Sequence, residues 1–336
     1  MAFQTLNLDV VESILSHIAP LEALPLMTTC RALHVPATRR FLSAVEICWD
    51  GYLECHDHAQ FCDYMLADPQ PRAQCLRELT LSLILEPDIS HPSGMPLQDR
   101  LAEIVRHATA LRKIFLLTAN DTFTQSCPAL VDAIAEAKSL KVIHFLHVDL
   151  SGIALLSRMK SQLVSVTCKM DRGAATTVTQ VQKPMRFLRN FVECLTKVTL
   201  NEALDVLIAD ANPKGVWPRV QELVLGDGEI RPEHWRPVCR AFPNIRTLRV
   251  RAASVDVTGA HAEWPKLDLV QTRSPLPLQC HVRNVKVDDG NDEEPLPGNN
   301  HDAAQYFEML RRVSPVTLTY YHDRKLHAES IANVAL

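Results

Sequence analysis

Leu140-Lys141-Val142-Ile143-His144-Phe145 decides how this chain reads. Apolar residues stand at its first, fourth and sixth positions, and Ile143 and Phe145 flank His144 with the two-residue period of a half-buried strand. The same pattern stands at Leu76-x-x-Leu79-x-Leu81, Leu111-x-x-Ile114-x-Leu116, Leu163-x-x-Val166-x-Cys168 and Leu195-x-x-Val198-x-Leu200. It continues at Val220-x-x-Leu223-x-Leu225, Ile245-x-x-Leu248-x-Val250 and Leu267-x-x-Val270-x-Thr272. Leu42-x-x-Val45-x-Ile47 reads as a first, atypical unit, with further strands at Val282-x-x-Val285-x-Val287 and at Leu318 and Tyr320.

Between the first positions of successive units the spacing runs from 22 residues (Ile245 to Leu267) to 35 (Leu76 to Leu111). The shorter spacings match the leucine-rich period of roughly 20–29 residues, and the longer ones leave room for extended loops or helices. Helices are expected from about Asp57 to Ala67 and on apolar faces made by Leu97, Leu101, Ile104, Val105 and Ala108, and by Leu130, Val131, Ile134 and Ala137. Two more are expected around Phe187, Phe191 and Cys194, and around Tyr306, Phe307 and Leu310. Only 15 positions separate Leu267 from Val282, too few for a helix, so plain coil is expected there. One strand plus one helix cannot bury its own apolar face, but a stack of such units can. The expected fold is therefore α/β: an irregular solenoid over residues 42–325, with a curved parallel sheet and outer helices. Irregularity follows from the near-absence of the asparagine that standard repeats carry.

The composition bounds the function. The 336 residues are 47% hydrophobic and 22% charged, ordinary for a globular chain, and the net charge of -4 gives no basic field for nucleic acid. No run of about 18 uncharged apolar residues exists, so no membrane span is expected. The first residues lack the basic start of a secretory signal and carry Asp9 and Glu12. The 10 cysteines sit mostly in apolar patterns without a disulfide-like spacing, so reduced thiols and a cytoplasmic or nuclear location are expected. Asp288 to Asn300 is acidic and rich in Gly and Pro, and reads as a solvated loop. Residues 326–336 read as a C-terminal tail.

Residues 1–41 are helical in pattern. Leu6, Val10, Ile14 and Ile18 recur at helical spacing behind an Asp9–Glu12 capping pair. Ala19-Pro20 ends that helix, Leu21, Leu24 and Met27 mark a second, and Pro36 is expected to open a third. This segment resembles an F-box, in the divergent form found in fungal F-box proteins with leucine-rich repeats. Leu6 stands where the family's motif opens with Leu-Pro, and Asn7 replaces the proline. Asp9, Ile14, Leu15 and Ile18 fit the first helix, Leu21, Leu24 and Leu26 the second, and Cys30-Arg31 the cysteine-arginine near its end. Leu33 and His34 occupy the place where many members carry a tryptophan.

The resemblance implies a non-catalytic substrate receptor of an SCF-type cullin-RING ubiquitin ligase, which acts in protein degradation. The F-box would dock on the Skp-type adaptor, and through it on cullin, while the repeats bind a protein substrate. Leu6, Leu8, Val11, Ile14, Leu15, Leu21 and Leu24 are the adaptor-binding candidates, divided between the contact face and the internal core. The alternative is a leucine-rich-repeat scaffold with a degenerate F-box and no ubiquitin role.

No cofactor or catalytic residue is expected. The sequence has no G-x-S-x-G, H-E-x-x-H or P-loop pattern. Cys48, Cys55, His56, His58 and Cys62 lack the tight knuckle of a structural zinc site and read as ordinary polar residues. The binding surface follows from the repeat register, in which the third, fifth and seventh positions point away from the core. Early units place Phe115, Leu117, Val142, His144 and Leu146 there; later ones place Lys169, Lys197, Asn201, Arg249, Arg251, Arg273 and Lys286. Phe115, Leu117, His144, Leu146, Arg249, Arg251 and Arg273 are the substrate candidates. The plainer reading makes the apolar end a loop-covered patch and the basic end solvated sheet charge.

Overall fold

The computed structural model describes residues 7–48, 55–82, 95–170, 187–204, 215–252, 254–288 and 303–321. Leu6, residues 289–300 of the acidic segment and the 326–336 tail lie outside these. The chain forms two compact units, 1–163 and 164–336.

The first unit begins with α1 (Leu8–Ser16), a 3-10 turn (Leu21–Ala23), α2 (Leu24–Met27) and α3 (Arg31–Phe41). Two sequence expectations are corrected here. Asn7, not Asp9, caps α1: its side-chain oxygen accepts from the Asp9 backbone N–H at 3.3 Å. Glu12 reaches Arg39 of α3 instead, at 3.5 Å. Pro36 lies inside α3 rather than at its start. A helical φ suits the ring, and the helix continues past the one N–H that proline lacks.

Next come β1 (Ala44–Cys48), α4 (Cys55–Ala67), α5 (Pro69–Ala73), β2 (Glu78–Ser82), α6 (Leu97–His107) and β3 (Lys113–Leu116). The unit closes with α7 (Asp121–Ser126), α8 (Pro128–Glu136), β4 (Val142–Val148) and α9 (Leu150–Arg158). Strands β1 to β4 pair in parallel and in chain order. Their register aligns Val45, Leu79, Ile114 and Ile143 in one ladder, and Ile47, Leu81, Leu116 and Phe145 in the next. Along the helical layer α4 touches α6, α6 touches α8, and α8 touches α9. Arg100, only 3% exposed, joins the first two: its Nη2 donates to the Ala59 carbonyl at 2.8 Å and to Asp63.

The second unit holds β5 (Ser165–Met170), a 3-10 turn (Arg189–Phe191), β6 (Lys197–Asn201), β7 (Glu222–Gly226), β8 (Glu229–Ile230) and α10 (Pro232–Ala241). It continues with β9 (Thr247–Arg251), β10 (Ser254–Val255), β11 (Leu267–Thr272), β12 (Val282–Asp288), α11 (Ala303–Val313) and β13 (Thr317–Tyr321). Here the parallel order is β5-β6-β7-β9-β11-β12-β13, while β8 and β10 form a separate two-residue pair.

The leucine pattern is the core of both units. In the eight units from Leu76 to Thr272, no first, fourth or sixth position is more than 2% exposed. Each fully buried aliphatic side chain of this kind stabilises by about 1.5–3 kcal/mol relative to exposure. As the short spacing requires, 273–281 carries no helix; Leu276, Leu278 and Cys280 are buried from an irregular segment that bridges to Ala262 at Leu278.

The helix expected around Phe187 to Cys194 is a single 3-10 turn. The indole N–H of Trp217 donates to the Leu188 carbonyl at 2.9 Å, and the Phe191 backbone N–H bonds to that same carbonyl at 3.0 Å. An α-helix would give this acceptor to residue 192 instead.

Candidate functional site

Among the described residues, eleven large apolar side chains are exposed, and six of them cluster at the N-terminus: Leu8, Val10, Ile14, Leu21, Leu24 and Val35. Beneath them lies a small core of Val11, Leu15 and Leu33, with Ile18, Leu26 and Cys30 partly buried against it. The helical period explains the split. Val11 and Leu15 follow one another at i and i+4, while Val10 and Ile14 fall on the flank of that stripe; Ile18, past the helix end, packs against the same core. Thus Val11 and Leu15 are core, whereas Leu8, Ile14, Leu21 and Leu24 face outward, Leu21 being 78% exposed. Polar ties hold this geometry. Arg40 Nε donates to the Ile18 carbonyl at 2.7 Å and His34 Nδ1 to the Met27 carbonyl at 3.0 Å.

The sheet of the first unit has an open face opposite its core ladders. Glu46, Thr80, Phe115 and His144 share one cross-strand row. Parallel neighbours lie about 4.8 Å apart, so flat side chains at paired positions can stack. Phe115 and His144 do so, with ring centroids 4.3 Å apart and planes 4° from parallel. Leu117 and Leu146, beyond the stack, are half-buried. The row on the other side is mixed: Ala44 and Val142 flank Lys113 and Glu78, which pair at 2.7 Å.

In the second unit, Val224, Arg249, Gln271, Lys286 and Thr319 share a row. Arg251 pairs with Gly226 one row further on. Val250 pairs with Thr272, so Arg273, one residue past β11, falls level with Arg251. The row on the near side of Arg249 is balanced. Glu222 Oε1 lies 3.0 Å from Lys197 Nζ and 3.5 Å from Arg249 Nε. Lys169 pairs with Asp227 at 3.1 Å.

Burial pushes the thiols of Cys62, Cys127, Cys168 and Cys239 up to about 12, so they stay protonated at neutral pH. Of the polar cluster singled out in the sequence, Cys48 ends β1, where its thiol contacts Glu46 at 3.1 Å, and buried Cys62 lies on α4. The side chains of Cys55 and His56 lie outside the described residues. Among the described residues no three His, Cys, Asp or Glu side chains are grouped to hold a metal ion, and no helix is long and apolar enough to cross a membrane.

Two clefts remain. One of about 540 Å³, between α3 and the α5–β2 segment, is lined by His34, Arg39, Arg72 and Arg77 among others, with Arg72 lying 3.9 Å over the Tyr64 ring. The other, beside α10, mixes Arg236 and Arg240 with Glu233 and Glu263.

Sequence reasoning missed the tryptophans. Trp217 and Trp264 each precede a proline and stand three residues before a unit's first apolar position, Val220 or Leu267. Both indoles are buried and donate to a backbone carbonyl, Trp264 to Phe242 at 2.8 Å. The Trp-Pro dipeptide ahead of the strand pattern was the available signal.

No protein-family model matches the chain, and no curated protein is similar to it in sequence.

Proposed function

We propose that this chain is the substrate receptor of an SCF-type cullin-RING ubiquitin ligase, with an F-box-like N-terminus and an irregular leucine-rich-repeat solenoid. Leu8, Ile14, Leu21 and Leu24 dock on a Skp-type adaptor, which joins the cullin, and the open sheet faces hold a protein substrate. The chain makes and breaks no covalent bond. It raises the effective concentration of substrate beside the transferring enzyme.

The observation that carries this reading is the concentration of exposed apolar side chains on the N-terminal helices. Large exposed apolar side chains in such number are available for protein association. They sit ahead of stacked leucine-patterned strands, and F-box-like helices followed by such repeats are the architecture the sequence resembles. The half-buried Phe115–His144 stack, with Leu117 and Leu146, is the apolar substrate surface, and Arg249, Arg251 and Arg273 mark the basic one.

Co-purification of the full chain with recombinant Skp-type adaptor tests the proposal. The wild type should retain the adaptor. A Leu8→Asp/Ile14→Asp/Leu24→Asp variant should lose it while melting at the same temperature. Failure of the wild type to bind, or equal capture by both, overturns the ligase reading and leaves the scaffold.

A further inference from the structure

We infer that the open sheet face at the C-terminal ends of β9, β11 and β12 binds an acidic, extended protein segment through Arg251, Arg273 and Lys286. The inference rests on the substrate-receptor reading only in making the ligand a protein.

Charge on this face is not spread evenly. Lys197 and Arg249 share Glu222, so both cations of the middle strands have a carboxylate partner. Beyond them, Arg251, Arg273 and Lys286 have no carboxylate within ion-pair distance among the described residues. Like charges on neighbouring strands repel, and an anionic ligand relieves that cost.

The geometry is set by the backbone. Lys286 lies in the row of Arg249 and Gln271. The residues flanking Arg273, Thr272 and Ser274, are both buried, so Arg273 alternates outward. Its own carbonyl accepts the Tyr306 hydroxyl at 2.6 Å, which fixes the chain where β11 ends. From β9 to β12 is two strand spacings, about 10 Å, and acidic side chains at i and i+2 of an extended segment stand about 7 Å apart. Two such carboxylates therefore reach two or three of these cations together, with the arginines offering bidentate pairing.

The test is fluorescence anisotropy of the full chain with a labelled peptide of alternating Glu and Ser, against its Lys-Ser counterpart and a single-stranded oligonucleotide. The Glu peptide should bind, more weakly as salt rises from 50 to 500 mM, and the Lys peptide should not. Arg251→Glu/Lys286→Glu should weaken binding at least tenfold, Arg251→Gln/Lys286→Gln by less, and Lys197→Gln, at the far end, by little. If the charge-reversed pair fails to fold, the Gln pair and the wild-type salt dependence decide. Unchanged affinity in the variants, equal binding of the Lys peptide, or tighter binding of the oligonucleotide overturns the inference. Adaptor capture is measured on the same preparations. Lost peptide binding with capture intact sinks only this inference, and lost capture with peptide binding intact sinks only the ligase reading.

Discussion

The N-terminal helices and the stacked strands solve the same problem in opposite ways. Across the strands, the leucine pattern is sealed at every unit from Leu76 to Thr272. Between Leu8 and Val35, six large apolar side chains remain outside a core with three buried members. The difference is one of size and repetition. A strand–helix unit lends its apolar face to its neighbours, so stacking completes the burial. A helical segment of about 40 residues has too little mass to enclose its own apolar surface. What the helices leave exposed is therefore available to a partner, whereas the strands offer mainly their open face.

The sharpest way to break this contrast is to put charge into the sealed side. Ile143 is fully buried and pairs with Ile114 in the core ladder. Ile143→Asp should cost several kcal/mol, about 3–5, because it buries an unpaired carboxylate. Lys141→Asp, two residues away and with its ammonium only 3.5 Å from the Gln162 carbonyl, should cost about 0.5 kcal/mol or less. Thermal melts of the two variants check the register. Equal melting temperatures would dissolve the distinction between core and open faces.

A second, smaller loss should come from the helical layer. Gly152 begins α9 beneath Asp149, whose carboxylate accepts the Ser151 and Gly152 N–H groups at 2.8 and 3.1 Å. A Cβ at Gly152 would collide with the Ala119 carbonyl oxygen and approach Val148 Cγ2 to 2.6 Å. Helix propensity favours alanine by up to about 1 kcal/mol. Overpacking against a fixed backbone costs about 1–3 kcal/mol and outweighs it. Gly152→Ala should therefore lower the denaturant midpoint without changing the slope.

These variants also show what was legible in the sequence. Strand positions could be read because period-two alternation is a direct consequence of two-sided burial, and Leu140, Ile143 and Phe145 carry it plainly. Helices α6, α8 and α11 could be read from their apolar stripes. Among the helices that escaped, α5 and α7 are too short to show a period, α9 opens with the weak helix formers Ser151 and Gly152, and α10 carries Pro237 in its interior. The expected helix at Phe187 has the right apolar residues, but Trp217, nearly 30 residues on, supplies a competing donor that no local pattern reveals. Of the candidate site, the sequence named the residues on the open faces; it could not show that Arg249 shares Glu222 with Lys197, because that depends on which strands are neighbours.

Thr272 is the polar exception in a core ladder, and its replacement should cost less than Ile143→Asp or Gly152→Ala. Its hydroxyl and backbone neighbour satisfy each other: Ser274 N–H donates to Thr272 Oγ1 at 3.1 Å, and the hydroxyl donates back to the Ser274 carbonyl. Thr272→Val restores the apolar pattern and gains about 0.8 kcal/mol of burial. It also removes the two hydrogen bonds that the Thr272 hydroxyl makes to Ser274, each worth about 0.5–1.5 kcal/mol. A net loss of about 1 kcal/mol is expected in chemical denaturation. A gain would mean that Ser274 finds other partners, and that the ladder tolerates a purely apolar residue.

The smallest effect is the most informative about the helices. Ile14 and Leu15 are adjacent, yet Ile14 is 48% exposed and Leu15 only 4%. If the outer face is unpartnered within the chain, Ile14→Ser removes apolar surface that water already touches. Its stability should then stay within about 0.5 kcal/mol of the wild type, the range for surface substitutions. A buried isoleucine truncated in the same way costs about 2–5 kcal/mol. Urea denaturation separates the two cases easily. A loss in the larger range would mean that Ile14 is packed against the chain itself, and the N-terminal face would no longer be a surface kept free for an adaptor.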